Sequence, residues 1–409
     1  MGHGRNSQQI EPNDGQPADG AAHRSARLTR RALLGTGSAA VAALSLGASG
    51  SAFAAPTSTS RGAGPFGPVT VADPESGGSY ARAVFLGAQR PGGRGAVLAT
   101  FQQFGSTGPG GFPIHRSTDG GRTWSPYSNV PVGGEAGRRW LQPHLYELPR
   151  AFAGFPQGTV LCAANSLDDT STRMVVYASV DRGLTWRYLS TVAEGGAPRA
   201  ENGNTPVWEP FLLLHHDRLV CYYSDQRDPG YGQKLAHQTS KDLRTWGPVV
   251  NDARGTEYSL RPGMTTVAQL PRGLWIMTYE FGLPDGTYHV RYRLAHDPES
   301  FDSAPEHALL DQDGNAPNGA PTVSWSPAGG PLGTIVVTDN DNQDFFVNRA
   351  LGDPAEWTRL PSPMPRGYSR QTIPLTGPGP RDGQGLVFVI TGSPYAERTP
   401  VRAGVIRLA

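Results

Sequence analysis

The chain has 409 residues, with 36 Lys and Arg against 35 Asp and Glu and 37% hydrophobic residues. A net charge of +1 with no basic run beyond residue 31 excludes an electrostatic footprint for nucleic acid and points to a neutral partner. The 53 Gly and 37 Pro, scattered between short apolar runs, speak for many short strands and against a helical protein.

Residues 1–26 are polar, and then Thr29-Arg30-Arg31-Ala32-Leu33-Leu34 leads into a stretch of Ala, Leu, Gly and Ser that ends at Ala52-Phe53-Ala54. A positive start, an apolar middle and small residues at a cleavage site make a signal peptide, and paired arginines indicate the twin-arginine route for folded proteins. A membrane anchor is the competing reading, but glycines and serines leave the stretch weakly apolar. The expected organisation is a leader over 1–54 and one secreted, monomeric domain over 55–409, free of the membrane after export.

Beyond the leader the chain repeats itself. Ser117-Thr118-Asp119-Gly120-Gly121-Arg122-Thr123-Trp124 returns as Ser179-Val180-Asp181-Arg182-Gly183-Leu184-Thr185-Trp186. This is the Asp-box pattern, a hairpin turn in which Asp and Gly make the bend and Trp packs between sheets. Ser240-Lys241-Asp242-Leu243-Arg244-Thr245-Trp246 is a third copy without the glycine, and Trp357 marks a decayed later one. These Asp residues read as structural.

Apolar first runs lie at 81–86, 141–148, 207–214, 261–270, 320–325 and 369–375, and second runs at 96–101, 159–164, 219–223, 274–279, 334–339 and 386–391. Repeated groups of short strands predict an all-β fold, a six-bladed β-propeller with each first run nearest the axis, and residues 68–72 can complete the last blade. Cys162 and Cys221 fall in equivalent second runs of successive repeats. The sequence leaves open whether they form a disulfide or are two small buried hydrophobes.

Aligning the first runs on their prolines places Arg82, Gln142, Glu209, Arg261, Ala320 and Arg370 at one position; the second runs end on Gln102, Asn165, Ser224, Glu280, Asn340 and Gly392. Two rings of mostly polar side chains converging on one mouth suit a polyhydroxy ligand. Their only carboxylates are Glu209 and Glu280, in adjacent repeats. Glycosidic cleavage needs such a pair, one to protonate the leaving oxygen and one to attack or to activate water. Arg82, Gln142, Asn165, Arg261, Asn340 and Arg370 are the candidate substrate-binding residues. The competing reading pairs each glutamate with an arginine as a structural ion pair. Trp208 and Tyr279, beside the two glutamates, are expected to be buried between blades by strand alternation.

The stretch from Trp208-Glu209-Pro210 through Tyr222-Tyr223-Ser224-Asp225-Gln226-Arg227-Asp228-Pro229, Gly232-Gln233-Lys234-Leu235, His237-Gln238-Thr239-Ser240 and Arg261-Pro262-Gly263-Met264 to Tyr279-Glu280 resembles glycoside hydrolase family 93. The resemblance implies a sialidase-like propeller and a retaining exo-α-L-1,5-arabinanase that releases arabinobiose from linear arabinan. It implies Glu209 as acid/base and Glu280 as nucleophile. An exo-sialidase is the alternative on the same fold, with Arg82, Arg261 and Arg370 as its arginine triad, but Tyr80-Ala81-Arg82-Ala83 departs from the Tyr-Arg-Ile-Pro motif of sialidases. A non-catalytic carbohydrate-binding propeller is another, and a lyase would call on His144 or His237. No metal-ligand spacing, phosphate loop or dinucleotide fingerprint is present, so neither cofactor nor metal is expected. Asp339-Asn340-Asp341-Asn342-Gln343-Asp344 resembles a calcium loop only in composition.

Overall fold

The computed structural model describes residues 64–75, 77–87, 96–103, 111–131, 137–375, 385–395 and 397–408. The leader read at 1–54 lies outside them, and the compact unit that carries the fold runs from Gly64 to Ala409. Its strands are β1 (Phe66–Ala72), β2 (Gly78–Phe85), β3 (Val97–Gln103), β4 (Phe112–Ser117), β5 (Ser125–Val130), β6 (Arg139–Glu147), β7 (Val160–Leu167) and β8 (Thr172–Ser179). They continue as β9 (Arg187–Gly195), β10 (Val207–His215), β11 (Arg218–Asp225), β12 (Lys234–Ser240), β13 (Val250–Arg254), β14 (Arg261–Gln269), β15 (Trp275–Gly282) and β16 (Tyr288–Ala295). The last are β17 (Glu306–Ala308), β18 (Thr322–Ser326), β19 (Thr334–Thr338), β20 (Phe345–Asn348), β21 (Trp357–Leu360), β22 (Gln371–Pro374), β23 (Leu386–Thr391) and β24 (Val401–Arg407).

Among the described residues these strands form six four-stranded antiparallel sheets, five of them consecutive meanders from β2 to β21. The sixth runs β22-β23-β24-β1, so the first strand of the fold closes the last blade, as the 68–72 segment foreshadowed. Among the described residues no helix is long and apolar enough to cross a membrane.

Middle strands such as β7 and β23 are buried along their whole length because each blade is covered by a neighbour on both faces. Leu161, Ala163, Met174 and Val176 of the second blade pack against Leu212, Cys221, Tyr223 and Ala236 of the third. Cys162 packs instead with Leu98 and Ile114 of the first blade. The two cysteines therefore face the same way round the ring, one blade apart, and both are free buried thiols.

The innermost strands do not pair with one another, so N–H groups between them need side-chain acceptors. His144 Nδ1 accepts from Leu212 N–H at 3.0 Å, Thr266 Oγ1 from Val323 N–H at 2.9 Å, and Gln371 Oε1 from Ala83 N–H at 2.7 Å. Polar residues on these strands thus join blade to blade as well as facing the axis. Burial holds the His144 imidazole well below its usual range, to about 3, which suits a neutral acceptor.

The Asp boxes lie where strands three and four of a blade turn, at the end of the ring away from Glu209 and Glu280. In the first, Asp119 accepts from Arg122 N–H and Thr123 N–H at 2.9 Å each and from Thr123 Oγ1 at 2.7 Å, while Gly121 N–H donates to Ser117 Oγ at 2.8 Å. The third box has Leu243 at φ 61° where the second has Gly183 at φ 82°. Its buried side chain, packed in the core between the second and third blades, compensates a backbone conformation that costs about 1 kcal/mol. Near the decayed copy, Gly352 N–H donates to Asn348 Oδ1 at 2.8 Å, so an asparagine has replaced the serine.

Candidate active site

At the end of the axis opposite the Asp boxes, one non-glycine residue per blade is left-handed: Tyr80, Gln142, Glu209, Met264, Ala320 and Ser369, with φ between 47° and 65°. In the first four blades it opens a bulge that sets two inner-strand residues against one partner, as between Trp208↔Ser224 and Phe211↔Tyr222. A bulge re-aims side chains, and here it aims them inward. Tyr80, Met264 and Ala320, from blades one, four and five, touch one another, with Tyr368 packed against them. Such residues can meet only at the axis.

This geometry corrects the inner column read from prolines. The proline follows the left-handed residue in blades two, three and five, so Gln142, Glu209 and Ala320 were placed well. In blade four Pro262 precedes the bulge, and in blades one and six no proline follows the left-handed residue, so Tyr80, Met264 and Ser369 hold the positions assigned to Arg82, Arg261 and Arg370. The second column keeps its register: Gln102, Asn165, Ser224 and Glu280 each stand opposite the residue before the left-handed one, and Asn340 N–H donates to Gly319 O at 3.1 Å.

The two glutamates are half-buried and held by neighbouring blades. Glu209 Oε2 accepts from Ser224 Oγ at 2.6 Å and from Met264 N–H at 3.0 Å, and Gln142 Nε2 donates to Oε1 at 3.4 Å. Glu280 Oε2 accepts from Ala320 N–H at 2.8 Å. Gly263, opposite Glu280, leaves room for this packing, since a Cβ there would lie 2.5 Å from Gln233 Nε2. Burial raises the Glu280 carboxyl to about 8, with the charge of Glu209 adding to it and Ala320 N–H and Arg261 opposing. Burial raises Glu209 as well, against Ser224, Met264 N–H and Arg261. Two carboxyls that repel each other in an apolar-floored pocket both favour the neutral form and can share a proton.

Of the candidate binding residues, Arg261 belongs to this site. It is half-buried, its guanidinium donates to Gln233 Oε1 at 2.7 Å and Gln226 Oε1 at 3.1 Å and also bonds Asn202, and its charge acts on both glutamates. Gln142 is a clamp: its Oε1 accepts from Glu209 N–H at 3.1 Å and Asn165 Nδ2 at 3.3 Å. Asn165 is fully buried and also donates to Val207 O at 2.9 Å, so it supports the clamp from behind. Asn340 is half-buried beside the rim, where its Oδ1 accepts from Tyr395 N–H at 3.4 Å.

Arg82 and Arg370 are corrections. Arg82 is buried with its guanidinium 4.1 Å from the Tyr80 ring centroid, donating to Ser369 O at 2.6 Å and Ser369 Oγ at 2.7 Å. Arg370 has no exposed surface and donates to the carbonyls of Asn342, Gln343, Asp344, Met364 and Pro365, over the Phe345 ring. Both place a cation where backbone carbonyls or a ring would otherwise lack one. Asp339, in the calcium-like run, accepts instead from Asn318 N–H, Asn342 N–H and Asn342 Nδ2, and Arg370 gathers the carbonyls that follow.

Trp208 and Tyr279 are buried, as alternation predicted. His237 has a partner that the sequence did not reveal, the buried Asp252 at 2.9 Å, far down the outer strands of its blade. Among the described residues, the His215, Asp297 and Glu299 group has a donor set for a metal, but His215 ends β10 on the Asp-box side, and Glu299 already faces Arg218. Sequence reasoning missed Tyr80, Tyr288, Tyr368 and Tyr395. The Tyr368 ring lies between those of Tyr80 and Tyr395, tilted to both, with centroids 6.1 and 5.6 Å away, and the charge of Glu280 acts on the exposed Tyr288 and the half-buried Tyr368. Tyrosines outside the aligned runs carried no periodic signal.

No protein-family model and no curated protein matches the chain. Among solved structures it is similar to the α-L-arabinofuranosidase of Fusarium graminearum in complex with an iminosugar inhibitor, with 40% identity and a TM-score of 0.77 over 84% of this chain and 98% of that one. The Fusarium enzyme with arabinobiose, at 39% identity, has the same TM-score and coverage. So does the α-L-arabinanase of Penicillium chrysogenum complexed with arabinobiose, at 38% identity.

Proposed function

The chain belongs to glycoside hydrolase family 93, and from that premise we propose that it is a retaining exo-arabinanase that releases arabinobiose from the non-reducing ends of linear 1,5-α-L-arabinan. The observation that carries the mechanism is the pair Glu209 and Glu280, held in adjacent blades at one end of the axis by donors from the next blade, with the charge of Glu209 acting on Glu280. A retaining hydrolase needs one proton and one carboxylate at the start of each turnover. Glu209 acts as acid/base and Glu280 as nucleophile: Glu280 attacks the anomeric carbon while Glu209 protonates the departing oxygen. Glu209 then takes a proton from the water that releases the sugar. Arg261, fixed by Gln226 and Gln233, lends positive charge beside both carboxyls.

The protein's own donors favour charge on Glu209, which receives three, over Glu280, which receives one. The proposed roles need the reverse, so substrate binding has to bring the shared proton from Glu280 to Glu209. Azide rescue tests the assignment. Glu209→Ala with azide should give an arabinobiosyl azide of retained configuration, and Glu280→Ala one of inverted configuration. The opposite pairing exchanges the roles, and rescue of neither overturns the mechanism.

The buried positions of Arg82 and Arg370 argue against an arginine triad, and hence against the sialidase alternative. The twin-arginine leader at 1–54 fits an enzyme whose polymeric substrate lies outside the cell; export is tested by N-terminal sequencing of the secreted protein.

A further inference from the structure

Ser224, next to last in β11, stands opposite Trp208 and has no exposed surface, yet its hydroxyl lies among groups of the catalytic pair. Its Oγ is 2.6 Å from Glu209 Oε2 and 3.1 Å from the Met264 nitrogen, and that nitrogen is itself 3.0 Å from Glu209 Oε2. The Met264 N–H therefore points into both oxygens. A serine oxygen that accepts this N–H has its own proton free to donate, and Glu209 Oε2 is the acceptor in reach. Oε2 thus receives two donors, while Oε1 has only the long 3.4 Å contact from Gln142 Nε2. A proton on Oε2 would force the Ser224 O–H to turn away and leave a buried donor unmatched, which is unfavourable.

We propose that Ser224 is a positioning residue which confines the transferable proton of Glu209 to Oε1 and so aims the general acid at the leaving oxygen. The proposal rests on the acid/base reading of Glu209. It also accounts for the left-handed Met264: the bulge that presents its side chain to the axis turns its N–H towards Ser224 and Glu209.

The test compares Ser224→Ala with wild type on arabino-oligosaccharides and on a dinitrophenyl arabinobioside, whose leaving group departs without a proton. Loss of the hydroxyl should lower kcat about 10- to 100-fold on oligosaccharides with KM changed less than about threefold, and leave the dinitrophenyl substrate within about threefold of wild type. The alkaline limb of kcat/KM should move to higher pH, since Glu209 loses a donor that favoured its charged form. Ser224→Thr, which keeps the hydroxyl, should restore the wild-type limb. If Ser224→Ala does not fold, Ser224→Cys, a weaker donor of similar size, should show a smaller shift of the same sign. Equal losses on both substrates with an unmoved limb overturn the proposal. Failure of wild type to release arabinobiose, or an active Glu209→Gln, instead overturns the catalytic reading on which it rests.

Discussion

Blades three and four use the left-handed turn at the head of the inner strand differently from blades five, six and one. In the first pair the bulge and the facing strand end present Glu209, Ser224, Met264 N–H and Glu280 to one another. In the other three the left-handed residues are Ala320, Ser369 and Tyr80, and the neighbouring arginines are drawn into carbonyls and a ring. One left-handed turn recurs around the ring, and only in blades three and four does it bring carboxyls and their donors together. Tyr80, Ala320 and Tyr368 of the opposite half form an apolar floor with Met264 of blade four, and burial raises both glutamates.

The largest contrast is in turnover. Glu209→Gln and Glu280→Gln should each lower kcat on linear arabinan by at least about a hundredfold, as loss of a general acid or a nucleophile does, with arabinobiose release resolved by chromatography. Arg370→Met should leave the chemistry alone and cost about 3–5 kcal/mol in folding, since it leaves converging carbonyls without their buried cation. Denaturant unfolding, read beside the kcat of the folded fraction, would break the comparison if activity fell and stability did not.

The next effect reverses direction. The Glu280 carboxyl is raised in the folded state, so its protonation favours folding fully below its ordinary range, and that contribution is lost as pH rises through about 8. Glu280→Gln, inactive, should therefore be more stable than wild type by on the order of 2 kcal/mol above that pH, allowing for partial exposure, with the gain vanishing towards pH 4. Thermal unfolding from pH 4 to 9 measures it. The smallest effect belongs to the far end of the ring. Asp119→Ala removes an acceptor of several turn hydrogen bonds and should cost about 1–2 kcal/mol with kcat/KM unchanged; a drop in kcat/KM would mean that the two ends of the blade are mechanically linked.

Residue types and period alone determined the propeller: the Asp boxes, the paired apolar runs and the 68–72 segment specify blades and closure, because a sheet covered on both faces must be apolar along its length. The pair Glu209 and Glu280 was also legible, since carboxylates at strand ends in a ring of amides stand out. Tertiary structure decided the destiny of the arginines. Arg82, Arg261 and Arg370 look alike in a row of letters, but a guanidinium goes where acceptors converge, and those acceptors are carbonyls and glutamines from other blades. It also decided the inner column, because a bulge adds a residue without changing composition, and proline marks it only where the chain happens to place one after it. The cysteines were settled the same way: equivalent positions in successive blades point in one direction around the ring, and so never face each other.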